Sequence, residues 1–164
     1  MIKISPSKLL LFVIVWILII SCSTVTGPPF TQEPISADAD PNLYLYRPSS
    51  WLMSGADWEF VIDKDVIVNL SNGTYVKLPI KPGTHEIISA PAKSVDQPWL
   101  KFEFEAVKGK NSYVKYEMQT KHGVFFSIFI ARPIFNNRLY ELDEVQAVAE
   151  LNELRLTKLP QRKY

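Results

Sequence analysis

The sequence contains very little cysteine and histidine: one cysteine, Cys22, and two histidines among 164 residues. A single cysteine cannot form an intramolecular disulfide, and the histidines show no H-x-H or H-E-x-x-H spacing for a metal. The G-x-S-x-G signature of serine hydrolases is missing, as are glycine-rich phosphate loops. We therefore predict a protein that is not an enzyme and has no catalytic residue, metal or cofactor.

Charge of one sign is not in excess. The chain has 18 lysine and arginine residues against 17 aspartate and glutamate residues. Residues 1–21 hold two of the lysines and no acid, so the remainder carries 16 basic and 17 acidic residues. This balance lacks the basic surface that binds nucleic acid, and we predict no nucleic-acid partner.

The first 21 residues have the layout of a bacterial export signal. Lys3 and Lys8 are followed by an uninterrupted apolar run over residues 9–20. A helix of this length spans about 18 Å, whereas the hydrocarbon core of a membrane is ~30 Å thick. The run is too short for a stable transmembrane helix, and we predict a signal peptide over residues 1–21.

The end of this segment, Ile19-Ile20-Ser21-Cys22, resembles the lipobox of bacterial lipoproteins. The resemblance implies cleavage between Ser21 and Cys22 and a lipid on the Cys22 sulfur, which anchors the protein to a membrane. Ser23, rather than aspartate, implies an outer-membrane lipoprotein facing the periplasm if the cell is Gram-negative. The alternative is a chance cysteine beside an ordinary signal peptide.

Residues 23–42 contain four prolines and many small polar residues, without a sustained apolar period. Because this composition is typical of flexible segments, we predict that residues 22–42 form a tether that begins with the lipidated cysteine. A flexible coil of this length spans about 25 Å. A binding motif in the segment is the alternative. The folded domain is expected over residues 43–158, which is enough chain for one hydrophobic core.

Period-two patterns and turn signals after residue 42 predict a mainly β domain. In residues 99–107, apolar residues alternate with lysine and glutamate, which is typical of an antiparallel strand with one face in water. The predicted strands cover residues 43–48, 58–62, 65–70, 74–80, 84–89, 99–107, 112–118 and 124–133, the last as a central strand. Seven or eight strands of this spacing predict an antiparallel β-sandwich.

The C-terminal part changes to a helical period. Val145, Val148, Ala149 and Leu151 recur at helical spacing, with Leu154 further on. We predict one C-terminal α-helix over residues 143–156 that packs these side chains against the sandwich.

Four short motifs, LYLYRP, NGTY, PGTH and GKNSY, follow one another along the chain. In this order they resemble a domain of unknown function found in many bacterial lipoproteins, over about residues 43–156. The matching positions are Tyr46, Arg47, Pro48, Gly73, Tyr75, Pro82, Gly83, His85, Gly109 and Tyr113. The resemblance implies a prealbumin-like sandwich and brings no established catalytic residue.

Arg47, Trp51 and Trp99 are the candidate binding residues. Arg47 ends an apolar strand, where a guanidinium is expected to pair with a carboxylate or to bind an acidic ligand. Packing in the core is the default expectation for the tryptophans. The alternative is an exposed ring that marks an interaction site, and Trp51 is the tryptophan expected to be exposed. His85, which follows Pro82-Gly83-Thr84, is expected to pin the tight turn that enters a strand, with metal binding or catalysis as the alternative, and His122 is expected to be a solvated turn residue.

These features support three hypotheses for the domain. The preferred one is binding of another envelope protein, helped by strand edges that can accept an added strand. The second is binding of carbohydrate or peptidoglycan through loop tryptophans. Hydrolysis is the least favoured.

The lipobox makes the first testable prediction. Replacing Cys22 with alanine removes the only sulfur that can receive the lipid, so the Cys22→Ala protein is expected to show no acyl labelling and to remain an uncleaved precursor. Metabolic labelling with a radioactive fatty acid, read on a gel that separates precursor from mature protein, measures both effects. Normal labelling of the variant would contradict the lipobox.

Overall fold

The strands form two five-stranded sheets in a computed structural model that describes residues 27–51, 54–91, 100–120, 135–157 and 161–162. The strands are β1 (Asn42–Arg47), β2 (Trp58–Ile62), β3 (Val66–Leu70), β4 (Thr74–Pro79), β5 (Gly83–Pro91), β6 (Leu100–Ala106), β7 (Ser112–Thr120), β8 (Phe135–Leu142), β9 (Arg155–Leu156) and β10 (Gln161–Arg162). A helix, α1 (Glu144–Leu151), precedes β9. The predicted mainly β sandwich with a helix near the C-terminus is confirmed.

The first sheet has the order β8-β7-β1-β4-β9, and the second has the order β10-β3-β2-β5-β6. Most neighbouring strands are antiparallel, as predicted. Two pairings, β1 with β7 and β4 with β9, are parallel. These partners come from distant parts of the chain because a short hairpin cannot join parallel strands.

Side chains of both sheets meet in the main core between them. β1 contributes Leu43 and Leu45 from the first sheet, and β2 contributes Trp58, Phe60 and Ile62 from the second. Alternate residues of a strand point to the same face, so each strand sends every second side chain into this core. Full burial of one large apolar side chain is worth about 1.5–3 kcal/mol, and this core is therefore the main source of stability.

The opposite face of the first sheet is also covered. Tyr44, Tyr46, Tyr75 and Tyr113 pack on this face against α1 and against Phe30. The rings of Tyr44 and Tyr113 stack with their centres 5.2 Å apart. β1 is thus buried on both faces, and the first sheet is the middle layer of three.

The helix is shorter than the predicted span of 143–156. Asp143 caps its first turn by accepting a hydrogen bond from the backbone N–H of Gln146, and the helix ends at Leu151. Arg155–Leu156 forms β9 instead of a further helical turn, because the free edge of β4 provides backbone hydrogen-bond partners there.

The buried face of the helix matches the predicted one only in part. Ala147 and Leu151 are buried, with Val148 half-buried beside them. Val145 is 81% exposed, and Ala149 is exposed as well. The prediction was wrong for these two residues because the small Ala147 side chain, rather than Val145, lies against the tyrosines of the sheet.

Residues 27–41, which we call the strap, lie against the first sheet. Phe30 is only 7% exposed, and the carbonyl oxygen of Pro28 accepts a hydrogen bond from the backbone N–H of Leu156 at 2.9 Å. The flexible tether predicted over residues 22–42 is therefore corrected from residue 27 onward. The polar, proline-rich composition of this segment did not indicate that its single aromatic side chain, Phe30, packs among the tyrosines.

The sequence pattern did not predict β8, whose polar asparagine pair interrupts the apolar alternation. β8 pairs with β7 along its whole length, from Leu142 opposite Tyr113 to Phe135 opposite Thr120. The predicted central strand over 124–133 and the predicted turn residue His122 lie outside the described residues.

The corrected helix face makes the second prediction. Leu151→Ala removes a fully buried side chain and is expected to lower the free energy of unfolding by about 2–5 kcal/mol. Val145→Ala changes an exposed side chain and is the matched control, with an expected change within about 0.5 kcal/mol. Urea unfolding followed by circular dichroism measures both values, and losses of similar size would contradict the observed helix face.

Candidate functional site

The two ends of the sandwich differ in how their strands are connected. At the turn end, connections of three to five residues join β2 to β3, β4 to β5 and β6 to β7. At the opposite end, which we call the loop end, residues 71–73 connect β3 to β4, strands β1, β5 and β7 end, and strands β2, β6 and β8 begin. The longest stretches of chain between strands therefore begin and end at one end of the fold.

Arg47 closes the main core at the loop end. Its side chain is 3% exposed, and Nη1 donates a hydrogen bond to the carbonyl oxygen of Ala56 at 2.5 Å. Burial lowers the pKa of Arg47, while the nearby Tyr116 and Asp57 favour its charged form. Arg47 thus ties the end of β1 to the residues before β2. Its burial favours the structural role over the predicted anchor for an acidic ligand.

The loop that carries Trp51 is braced by the turn between β3 and β4. The side-chain oxygen of Asn72 accepts a hydrogen bond from the backbone N–H of Ser50 at 2.9 Å. Ser71 Oγ donates to the carboxylate of Asp57 at 2.7 Å. Each such bond contributes about 0.5–1.5 kcal/mol, and together they hold both ends of the loop to one turn.

Trp51 is 73% exposed on this braced loop, which gives the loop end a large aromatic surface. Trp58, by contrast, is buried and packs against Tyr116 with ring centres 5.3 Å apart. Trp99 lies outside the described residues, although Leu100 after it begins β6 at the same end. The structure therefore places Arg47 and Trp51 at the loop end, one buried and one presented to solvent.

The carboxylates near the turn end lie on an open surface that carries charges of both signs. A cleft of about 340 Å³ there is lined by Glu105, Glu141, Asp143 and Lys110 among others. Glu105 accepts a hydrogen bond from Thr84 Oγ1 at 2.8 Å. In the part of the chain that the structure describes, no group of three or more histidine, cysteine, aspartate or glutamate residues is placed to hold a metal.

His85 holds two turns together at the turn end. Its Nδ1 lies 2.6 Å from Asp63 Oδ2, in the turn between β2 and β3. Its Nε2 lies 2.7 Å from the carbonyl oxygen of Lys81, in the turn between β4 and β5. Both partners are acceptors, so an imidazolium with a hydrogen on each nitrogen satisfies both of them. The predicted structural role of His85 is confirmed.

Burial of the imidazole disfavours its charge, but the hydrogen bonds to Asp63 and Lys81 outweigh burial and raise the pKa of His85 above its ordinary value of 6.5. A raised pKa in the folded state means that protonation stabilises the fold. The contribution is complete below the unfolded pKa and is lost as the pH rises through the folded pKa.

No helix within the described ranges is long and apolar enough to cross a membrane. No family model, curated protein or solved structure matches the chain. The resemblance to the lipoprotein domain accordingly stays a prediction.

The histidine makes the third prediction. Wild-type protein is expected to lose stability as the pH rises from 6.5, the ordinary histidine pKa, through the raised pKa of His85 in the fold, and His85→Gln is expected to lose less over the same range. Asp63→Asn is the matched variant, since it removes the charge next to His85 but keeps an oxygen for the backbone N–H of Glu86. Urea midpoints across this range test both variants. A pH slope in His85→Gln as steep as in the wild type would exclude the coupling.

Proposed function

We propose that the chain is a lipid-anchored envelope protein whose sandwich binds another envelope protein through its loop end. The observation that carries the binding proposal is Trp51, 73% exposed on a loop that two side-chain hydrogen bonds hold in place. The Ser21-Cys22 lipobox supports the anchor, and Ser23 supports an outer-membrane location facing the periplasm in a Gram-negative cell. The proposed activity is binding without catalysis.

An exposed tryptophan on a braced loop suits protein recognition for two physical reasons. Tryptophan is enriched among the interface residues that contribute most to affinity, because its large surface leaves water on binding. A loop already held by Ser71 and Asn72 loses less conformational freedom when a partner binds, so more of the contact energy appears as affinity. The expected partner surface is a pocket or groove that accepts one aromatic side chain.

Peptidoglycan is the second candidate ligand, and the same exposed ring favours it. The face of an indole can stack on a sugar ring, and a protein anchored by Cys22 in the outer membrane would face the periplasm, where peptidoglycan lies. One exposed ring gives a sugar only a small contact area. Unlike a protein partner, the glycan is therefore expected to bind weakly.

Site-specific crosslinking tests the proposed function. A photoreactive phenylalanine analogue at Trp51 is expected to form an adduct of defined mass with another protein in intact cells. The same analogue at Val107, a 53% exposed residue at the turn end, is the matched control and is expected to form none. Adducts with lipid alone, or equal adducts at both positions, would contradict the protein-binding proposal. An adduct whose mass falls after muramidase digestion but not after protease treatment would support the glycan instead.

A further inference from the structure

We propose that the strap, residues 27–41, undocks from the first sheet as a unit while the sandwich stays folded. Undocking lengthens the chain between the membrane anchor and the domain. The change in reach rests on the proposed lipidation of Cys22, whereas undocking itself does not.

The strap is held by few contacts. Residues 31–34 and 36–38 are exposed, and Ile35 is half-buried. Backbone hydrogen bonds fix its two ends: Leu156 N–H donates to Pro28 and Gly109 N–H donates to Ala39, both at 2.9 Å, and Ile80 N–H donates to Pro41 at 3.0 Å. Between these ends the polar contacts include a surface hydrogen bond from Gln32 to Glu144, an ion pair between Glu33 and Lys77, and a 3.5 Å hydrogen bond from Tyr75 Oη to the carbonyl oxygen of Pro29. Exposed pairs of this kind contribute little to stability.

Phe30 supplies the buried apolar contact between the two ends. Its ring meets those of Tyr44 and Tyr75 edge-on, with centres 5.7 Å and 5.6 Å away. Burial of one such side chain is the largest single contribution to docking. Docking of the strap therefore depends on one aromatic residue.

The sandwich can keep its main core when the strap leaves. The core between the sheets consists of strand residues and includes no strap residue. On the outer face, Ala147 and Leu151 of α1 still cover part of the tyrosine surface. The surface that undocking uncovers is formed by tyrosines, whose hydroxyl groups can bind water, so its exposure costs less than exposure of leucines.

Two glycines fit the strap closely to the domain. A Cβ on Gly27 would lie 2.1 Å from the carbonyl oxygen of Leu156. Gly109 has a φ of +74°, and a Cβ there would lie 2.5 Å from the carbonyl oxygen of Ala37. Any side chain at either position would force the strap away. The docked position is therefore specific, and a single methyl group can disturb it without touching Phe30.

The two positions of the strap give different reaches. Five residues, 22–26, precede the docked strap, and the distance from Cys22 to Gly27 is then at most about 18 Å. With the strap released, twenty residues connect Cys22 to β1, which corresponds to about 25 Å as a coil and about 70 Å when extended. Undocking would let the loop end reach a partner that the docked domain cannot contact.

Hydrogen exchange of the full-length protein in detergent micelles tests the undocking. In the wild type, the backbone N–H groups of Leu156 and Gly109 are expected to exchange at similar rates and faster than those of Leu45 and Phe60 in the core. Phe30→Ala is expected to speed the exchange of Leu156 and Gly109 together by about 10- to 100-fold, with Leu45 and Phe60 unchanged. Val145→Ala, which changes an exposed residue on the same side of the domain, is expected to change none of these rates.

Gly27→Ala is the second variant, and it should speed the same two exchange rates although it keeps Phe30. Faster exchange of the core together with the strap would overturn the proposal, as would unequal changes at Leu156 and Gly109 or no change at all. Cys22→Ala separates this proposal from the proposed function. It should leave strap exchange unchanged, although the variant lacks the lipid and keeps residues 1–21.

Discussion

The burial of β1 on both faces sets the order of the layers, because a strand with apolar side chains on each side needs a covering layer on each side. Leu43 and Leu45 require the second sheet, while Tyr44 and Tyr46 require the helix and the strap. Burial, with nearby carboxylates adding to it, raises the pKa of Tyr44 to about 12 from its ordinary value of 10. Tyrosine suits this second interface because its ring can be buried while its hydroxyl reaches a polar partner, as that of Tyr113 reaches Glu144 and that of Tyr75 reaches the carbonyl oxygen of Pro29.

Local sequence patterns predicted a strand correctly where one face of that strand is exposed to water. β6 is such a strand, and its alternation of apolar and charged residues gives both its extent and its orientation. The buried face of the helix was harder to predict. Its eight residues contain two overlapping sets of apolar side chains, and only the surface against which the helix packs decides which set is buried. The strap could not be predicted from composition, since its single buried ring finds its pocket on strands β1 and β4, which come later in the chain.

The candidate site was predictable in its residues but not in its arrangement. Arg47 was recognisable in the sequence as a charge at the end of a strand. Trp51 was recognisable as an aromatic residue in a loop. Their placement at one end of the molecule depends on sheet register, which brings Arg47 opposite Thr74. Asn72 was recognisable as a turn residue, but its bond to Ser50 spans 22 positions in the sequence and has no local signature. Side-chain hydrogen bonds between loops that are distant in the sequence are the part of a site that is hardest to predict from a single sequence.

The bridge between Pro29 and Arg155 joins the beginning of the folded domain to β9, the strand that follows α1. β1 likewise pairs with β7, whose paired residues lie almost seventy positions further along the chain. Long-range pairings of this kind make folding slow, because much of the chain has to be present before they can form. A growing chain that lacked α1 would leave its tyrosine face uncovered. The fold therefore postpones its own completion until nearly the whole polypeptide is available.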